Sequence, residues 1–163
     1  MRTLDFDYFK NTVNAMRVDR VINRPVGIIG LARSGLAAAK LLKRLGGNPF
    51  VSDVKPESRL EKELAELKEA GIPFETGGHS DKLLEESEYL IVSPGVPKEI
   101  PILERAQEIG LPVFSELEVA SWLCDAILVA VTGSNGKTTT TSLLGKIFET
   151  ARIESASAGN IGY

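Results

Sequence analysis

The sequence predicts an α/β fold built on a mostly parallel sheet with helices on both faces. Short apolar runs alternate with longer stretches of helical period. Two of the runs end in glycine-bearing turns that open a helix, and the links between elements are short. Strands separated by helices in this way imply a parallel sheet.

The elements follow in chain order. Pro25–Gly30 (PVGIIG) is an apolar run ending in glycine. In SGLAAAKLLKRLGG the residues Ala38, Leu41, Leu42 and Leu45 share one helical face, and Gly46–Gly47 stops the helix. Asn48–Asp53 (NPFVSD) reads as the second strand. ESRLEKELAELKEAG then places Leu60, Leu64 and Leu67 on one stripe with charges elsewhere. IPFETG gives a third strand and Tyr89–Gly95 (YLIVSPG) a fourth. IPILERAQEIG repeats the helical spacing through Ile102, Leu103, Ala106 and Ile109, and LPVFSE is the fifth strand.

This series closes around ELEVASWLCDA, and ILVAVTG opens a new unit, so a boundary is expected near Asp125. The expected division is an N-terminal extension over 1–24, a complete domain over 25–124, and the start of a second over 125–163. Phe6, Tyr8, Phe9, Val13 and Met16 fit one face of a helix, or the extension has no packed role.

Composition bounds the function. The 163 residues are 43% hydrophobic and 25% charged, ordinary for a globular protein and long enough for one domain and part of another. A net charge of −3 argues against a general nucleic-acid surface. The single cysteine, Cys124, excludes an internal disulfide and fits a reducing compartment. No apolar run approaches the roughly 20 residues of a membrane span. Asp5, Asp7 and Lys10 stand where a secretory signal needs an apolar core. A cytoplasmic location is expected.

Two motifs point to phosphate chemistry. In GIIGLARSG, Gly30, Ala32 and Gly35 occupy the three positions of the dinucleotide fingerprint G-x-G-x-x-G, with alanine in the middle. The helix opening near Ser34 would aim free N–H groups at an anion. Asp53, at the end of the next strand, could accept hydrogen bonds from ribose hydroxyls. The first domain is therefore Rossmann-like. The plainer reading is a tight βα turn with a strand-end aspartate and no ligand.

The second motif, TGSNGKTTTT, follows an apolar strand expected over Ile127–Val131 and precedes a helix. Gly133 and Gly136 allow successive N–H groups to converge on phosphate oxygens. Lys137 can reach the β/γ phosphates, and Thr138 can offer its hydroxyl to Mg²⁺.

Together these residues resemble the Mur ligases, ATP-dependent enzymes that build the peptide of bacterial cell-wall precursors. The family's phosphate loop reads T-G-[ST]-N-G-K-[ST], and Thr132–Thr138 (TGSNGKT) matches it throughout. GLARSG at Gly30–Gly35, SPGV at Ser93–Val96, SELE at Ser115–Glu118 and GNIG at Gly159–Gly162 make the D-glutamate-adding branch the nearest match. The resemblance spans Val26 to Tyr163.

It implies a first domain that holds a UDP-linked substrate, UDP-N-acetylmuramoyl-L-alanine. Arg33 and Ser34 would lie at the diphosphate, and Asp53 and Val54 by the uracil and ribose. Ser93, Pro94 and Gly95 would form a second loop against the nucleotide, with Asn160 near the diphosphate and sugar. Family members often carry a hydroxyl or a charge where Val54 stands. ATP would be held by Thr132, Gly133, Ser134, Asn135, Gly136, Lys137, Thr138 and Thr139, with Lys137 and Thr138 catalytic and Thr138 on Mg²⁺. In the family, the substrate carboxylate becomes an acyl phosphate that the amine of D-glutamate then attacks.

The family's magnesium-binding acid, its histidine, its modified lysine and its C-terminal domain lie beyond GNIG. The chain thus reads as an N-terminal portion that cannot ligate alone and that self-associates through an uncovered strand. Its one histidine, His79, reads as a surface-loop or helix-start residue, Glu118 as a structural or junction residue, and Trp122 as core or interface. Two other readings stay open: an NAD(P)-dependent oxidoreductase using the Gly30–Gly35 turn and Asp53, and a non-catalytic nucleotide-binding module.

Overall fold

The computed structural model describes residues 20–159, which fall into two compact units divided between Asp125 and Ala126. In the first unit, β1 (Pro25–Ile29), β2 (Asn48–Asp53), β3 (Phe74–Thr76), β4 (Tyr89–Val92) and β5 (Val113–Ser115) pair in the order β3-β2-β1-β4-β5. Every pairing is parallel. The connections carry α1 (Arg33–Arg44), α2 (Glu61–Glu69), α3 (Asp81–Glu85) and α4 (Pro101–Glu108), and α5 (Glu116–Trp122) follows β5.

The sheet is covered on both faces, as a parallel sheet requires. Alternate strand residues point to opposite sides. Val26, Ile28, Val51, Tyr89 and Ile91 pack with Ala39 and Leu42 of α1, Leu64 and Leu67 of α2, and Val119 of α5. Ile29, Phe50 and Leu90 pack with Leu83 and Leu84 of α3 and with Ile102 and Ala106 of α4. Gly27 lets α3 come close: a Cβ there would stand 2.5 Å from a Leu90 methyl and 2.8 Å from one of Leu83.

Two helix faces differ from the sequence expectation. The buried face of α1 is Gly35, Ala39 and Leu42, whereas Leu41 is 40% exposed and Ala38 only half-buried. Gly35 is pressed against the turn after β1, which sets the rotation of the helix. A period of 3.6 then selects residues 39 and 42. Ile109 is exposed because α4 has already ended there, and Leu111 N–H turns back onto the Ala106 carbonyl at 2.8 Å.

Val21, within the expected extension, is wholly buried in the core. Tyr89, Phe114 and Trp122 meet edge to face, and the Arg20 guanidinium lies 5.2 Å from the Trp122 ring. The helical face expected from Phe6 to Met16 lies outside the described residues.

The second unit, taken by itself, contains α6 (Lys137–Thr150). The strand expected over Ile127–Val131 is not formed: among the described residues this segment joins no ladder, and Ile127, Leu128 and Val129 are exposed. A strand exists through hydrogen bonds to a neighbour, and an apolar run alone supplies none.

Candidate functional site

In the first unit the chain reverses direction across the sheet between β1 and β4, the switch point at which open α/β sheets place ligands beyond their strand ends. The loops leaving β1, β2 and β4 meet there. Gly30 N–H donates to the Ser52 carbonyl at 2.9 Å, and Ser93 N–H donates to the Ile29 carbonyl at 3.0 Å.

The glycine turn is pinned from two sides. Asp53, 5% exposed, accepts from Leu31 N–H through Oδ2 at 2.6 Å and from Lys55 N–H through Oδ1 at 2.8 Å. On the other side the Ser93 hydroxyl reaches the Gly30 carbonyl at 3.0 Å. It also bonds to the Glu116 carboxylate on the first turn of α5. Gly30 has φ +97°, which favours glycine, and a Cβ at Gly35 would lie 2.0 Å from the Gly30 oxygen. The first and third glycines of the motif therefore do the work expected of a turn and a close helix approach.

Helix α1 begins beside this turn. Its N-cap, Ala32, offers no side-chain bond, its first turn holds no acid, and Arg33 and Ser34 are exposed, so the leading N–H groups have no competing anion from their own helix. Ser93 is buried, Val54 is 66% exposed, and Pro94 and Gly95 are exposed on the β4 loop. Arg33 and Ser34 open α1 just after β1, Asp53 ends β2, Val54 follows it, and Ser93, Pro94 and Gly95 follow β4, so all seven stand at the C-terminal ends of these three strands. Asn160 lies outside the described residues.

A second polar cluster adjoins Asp53. The buried Ser52 hydroxyl donates to Glu75 Oε1 at 2.7 Å and lies 2.6 Å from His79 Nδ1. A hydroxyl has one proton, so with that proton on Glu75 the imidazole must carry its own on Nδ1. Glu75 also accepts from Ser80 N–H at 3.0 Å. Burial holds the His79 pKa below its usual value, only partly opposed by the charges of Glu75 and Asp53. Burial alone would raise Glu75, but bonds from Ser80 and Ser52 together with the His79 charge bring it below the usual range. His79 does lie in the loop before α3, yet it is half-buried and internally bonded. The signal available in the sequence was Ser52, a polar residue inside the apolar run of β2.

In the second unit the loop ahead of α6 carries Thr132, Gly133, Ser134, Asn135 and Gly136, and Lys137, Thr138 and Thr139 open the helix. Gly136 caps α6 at φ 77°, with no side-chain cap and no acid in the first turn. Lys137 Nζ folds back onto the carbonyls of Gly133 and Ser134. An ammonium and uncapped N–H groups gathered at one loop suit a phosphate group. Among the described residues no group of three or more His, Cys, Asp or Glu gathers to hold a metal ion.

Comparison with known proteins gives this arrangement its relatives. The family model described as Mur ligase MurD-like, N-terminal domain, matches residues 24–115. The UDP-N-acetylmuramoylalanine–D-glutamate ligase of Salinibacter ruber is 46% identical over 153 residues, covering 91% of this chain and 33% of that protein. The enzyme of the same name from Chlorobaculum tepidum is 40% identical, covering 90% of this chain and 32% of that protein. The chain thus spans about a third of the length of the curated relatives it matches. A crystal structure of a murein peptide ligase from Psychrobacter arcticus shares the fold, with 22% identity, a TM-score of 0.55, and coverage of 84% of this chain and 30% of that one. With the pinned glycine turn at the switch point and a family match across the whole five-stranded sheet, the chain belongs to the MurD-like Mur ligases through its N-terminal domain.

Proposed function

We propose that the first unit binds the UDP-linked precursor, UDP-N-acetylmuramoyl-L-alanine, and that the loop Thr132–Thr139 contributes the phosphate grip for ATP in a D-glutamate-adding ligase. The observation that carries this reading is the pinned glycine turn at the switch point. There Gly30, Gly35, Asp53 and Ser93 hold one turn rigid beside the uncapped start of α1. A diphosphate fits the helix start with Arg33 and Ser34, and the uridine end fits the exposed backbone after Asp53. Because both Asp53 oxygens already accept backbone N–H groups, its main task is to fix the turn; its remaining lone pairs can meet a ribose hydroxyl.

ATP and Mg²⁺ would supply the phosphoryl group and the charge neutralisation for activating the precursor carboxylate. Lys137 and Thr138 are the residues of this chain assigned to them, Lys137 as a mobile charge on the phosphates and Thr138 as an Mg²⁺ ligand. D-Glutamate is the proposed amine substrate, and Asn160 is assigned to the precursor near its diphosphate and sugar. We assign residues 25–124 to precursor binding and 125–163 to the phosphate loop. The 163 residues alone should not ligate, because one loop supplies neither an acceptor site nor the other ATP contacts. The exposed Ile127, Leu128 and Val129 favour self-association at high concentration. No helix among the described residues is long and apolar enough to cross a membrane, and the water-soluble precursor and ATP make a cytoplasmic setting the proposal.

Calorimetric titration with UDP-N-acetylmuramoyl-L-alanine, with NADH as the control, tests the reading. Heat from the UDP-sugar and none from NADH is expected. A response to NADH alone would overturn it in favour of an oxidoreductase.

A further inference from the structure

We propose that Glu116 is an internal competitor for the anion received at the switch point: its carboxylate holds the Ser93 hydroxyl in the free chain and must release it when a diphosphate binds. The inference rests on the precursor-binding reading but concerns a residue to which that reading assigns no role.

The Ser93 oxygen lies within bonding distance of two acceptors, the Gly30 carbonyl at 3.0 Å and a Glu116 carboxylate oxygen. One hydroxyl proton serves one strong bond, and a carboxylate is the stronger acceptor. Ser93 is 4% exposed and Glu116 half-buried, so the contact lies in a place only partly screened by water. The same loop is fastened to the end of β1 by Ser93 N–H on the Ile29 carbonyl, which keeps the hydroxyl beside the glycine turn.

An incoming diphosphate needs donors and meets there one already occupied by a fixed negative charge. The carboxylate therefore subtracts from anion affinity at this point. A ligand must recover the loss through contacts elsewhere, such as a nucleoside held beside Asp53 and Val54. Glu116 thereby weakens any diphosphate at this point, and one that carries a nucleoside still binds through its other contacts.

The test is titration of the full 163-residue chain with UDP and with inorganic pyrophosphate, comparing wild type, Glu116→Gln, Ser93→Ala and the double variant. Glutamine keeps an acceptor for Ser93 and removes the charge. E116Q should bind both ligands about threefold tighter or more, the scale of one partly screened charge pair. The gain should be similar for the two ligands and should shrink in the S93A background. Glu116→Ala, which removes charge and acceptor together, must move in the same direction. Unchanged or weaker binding by E116Q and E116A would overturn the proposal and make Glu116 a positioning residue for the Ser93 loop. An equal gain with and without Ser93 would overturn it too, since bulk charge would then suffice. Absence of binding by every variant at millimolar ligand would also refute it. Tighter pyrophosphate binding with no preference for UDP would leave the competitor standing and remove the uridine reading instead.

Discussion

Replacing Gly35 by alanine should dismantle the switch-point turn. The added Cβ would stand 2.0 Å from the Gly30 carbonyl oxygen and 2.9 Å from the Ser93 hydroxyl. The first neighbour is backbone and cannot rotate aside, so α1 must back away from β1 by roughly 1.5 Å to restore an ordinary carbon–oxygen contact. That helix carries Ala39 and Leu42, both buried, and its retreat loosens their packing. Overpacking of this kind costs about 1–3 kcal/mol. Displacing the Ser93 hydroxyl from its hydrogen bond adds about 1 kcal/mol. The better helix propensity of alanine returns up to about 1 kcal/mol. The net loss should be about 2–3 kcal/mol, a fall of roughly 10–20 °C in Tm for a domain of this size. Urea unfolding followed by circular dichroism measures it, with Gly95→Ala as the control because a Cβ there meets nothing within 4 Å. A G35A chain as stable as wild type, to within about 0.5 kcal/mol, would refute the claim that the Gly30–Gly35 approach sets the position of α1.

Asp53→Asn keeps the shape of the side chain but sets an amide NH₂ against the N–H of Leu31 or Lys55, where the carboxylate now accepts from both. A loss of about 1.5–3 kcal/mol is expected for a charge-assisted pair at a buried site; an equally stable variant in urea melts would show that the turn does not depend on it. The lone histidine offers a pH readout. His79 is held below its ordinary 6.5, so the fold favours the neutral ring and the unfolded chain takes up the proton first. Its contribution is intact above pH 6.5 and is lost as pH falls through the folded value. Glu75, held below 4.5, acts in the same sense: its contribution is intact above 4.5 and lost as pH falls further. Denaturant melts should therefore weaken in two stages on acidification, and NMR titration of the His79 ring should give a midpoint below 6.5. A midpoint above that value would mean that the carboxylates of Glu75 and Asp53, rather than burial, control the ring.

Much of the fold was legible because its signals are local. The apolar runs of β1, β2 and β4, the Leu60–Leu64–Leu67 stripe and the glycines of the β1 turn each declare themselves within a few residues, since burial period and allowed φ are properties of short segments. Arg33, Ser34, Asp53 and Ser93 could be named from motifs, and parallel pairing brings their loops to one edge. The phase of α1 was not legible, because Leu41 is the more apolar residue yet Ala39 is buried, and only the contact of Gly35 with Gly30 decides between them. Nor was the strand expected over Ile127–Val131, since an apolar run becomes a strand only through a neighbour's hydrogen bonds.

By itself the sequence determined the five strands of the first unit in their chain order, the two glycine loops and the family to which they belong. Only the tertiary structure decided what the polar groups at the strand ends do: Asp53 on the turn's N–H, Ser93 between Gly30 and Glu116, and Ser52 between Glu75 and His79. The physical reason is that a hydrogen bond depends on atoms being within about 3 Å in space, and residues far apart in the chain reach that distance only after the sheet has aligned the ends of their strands.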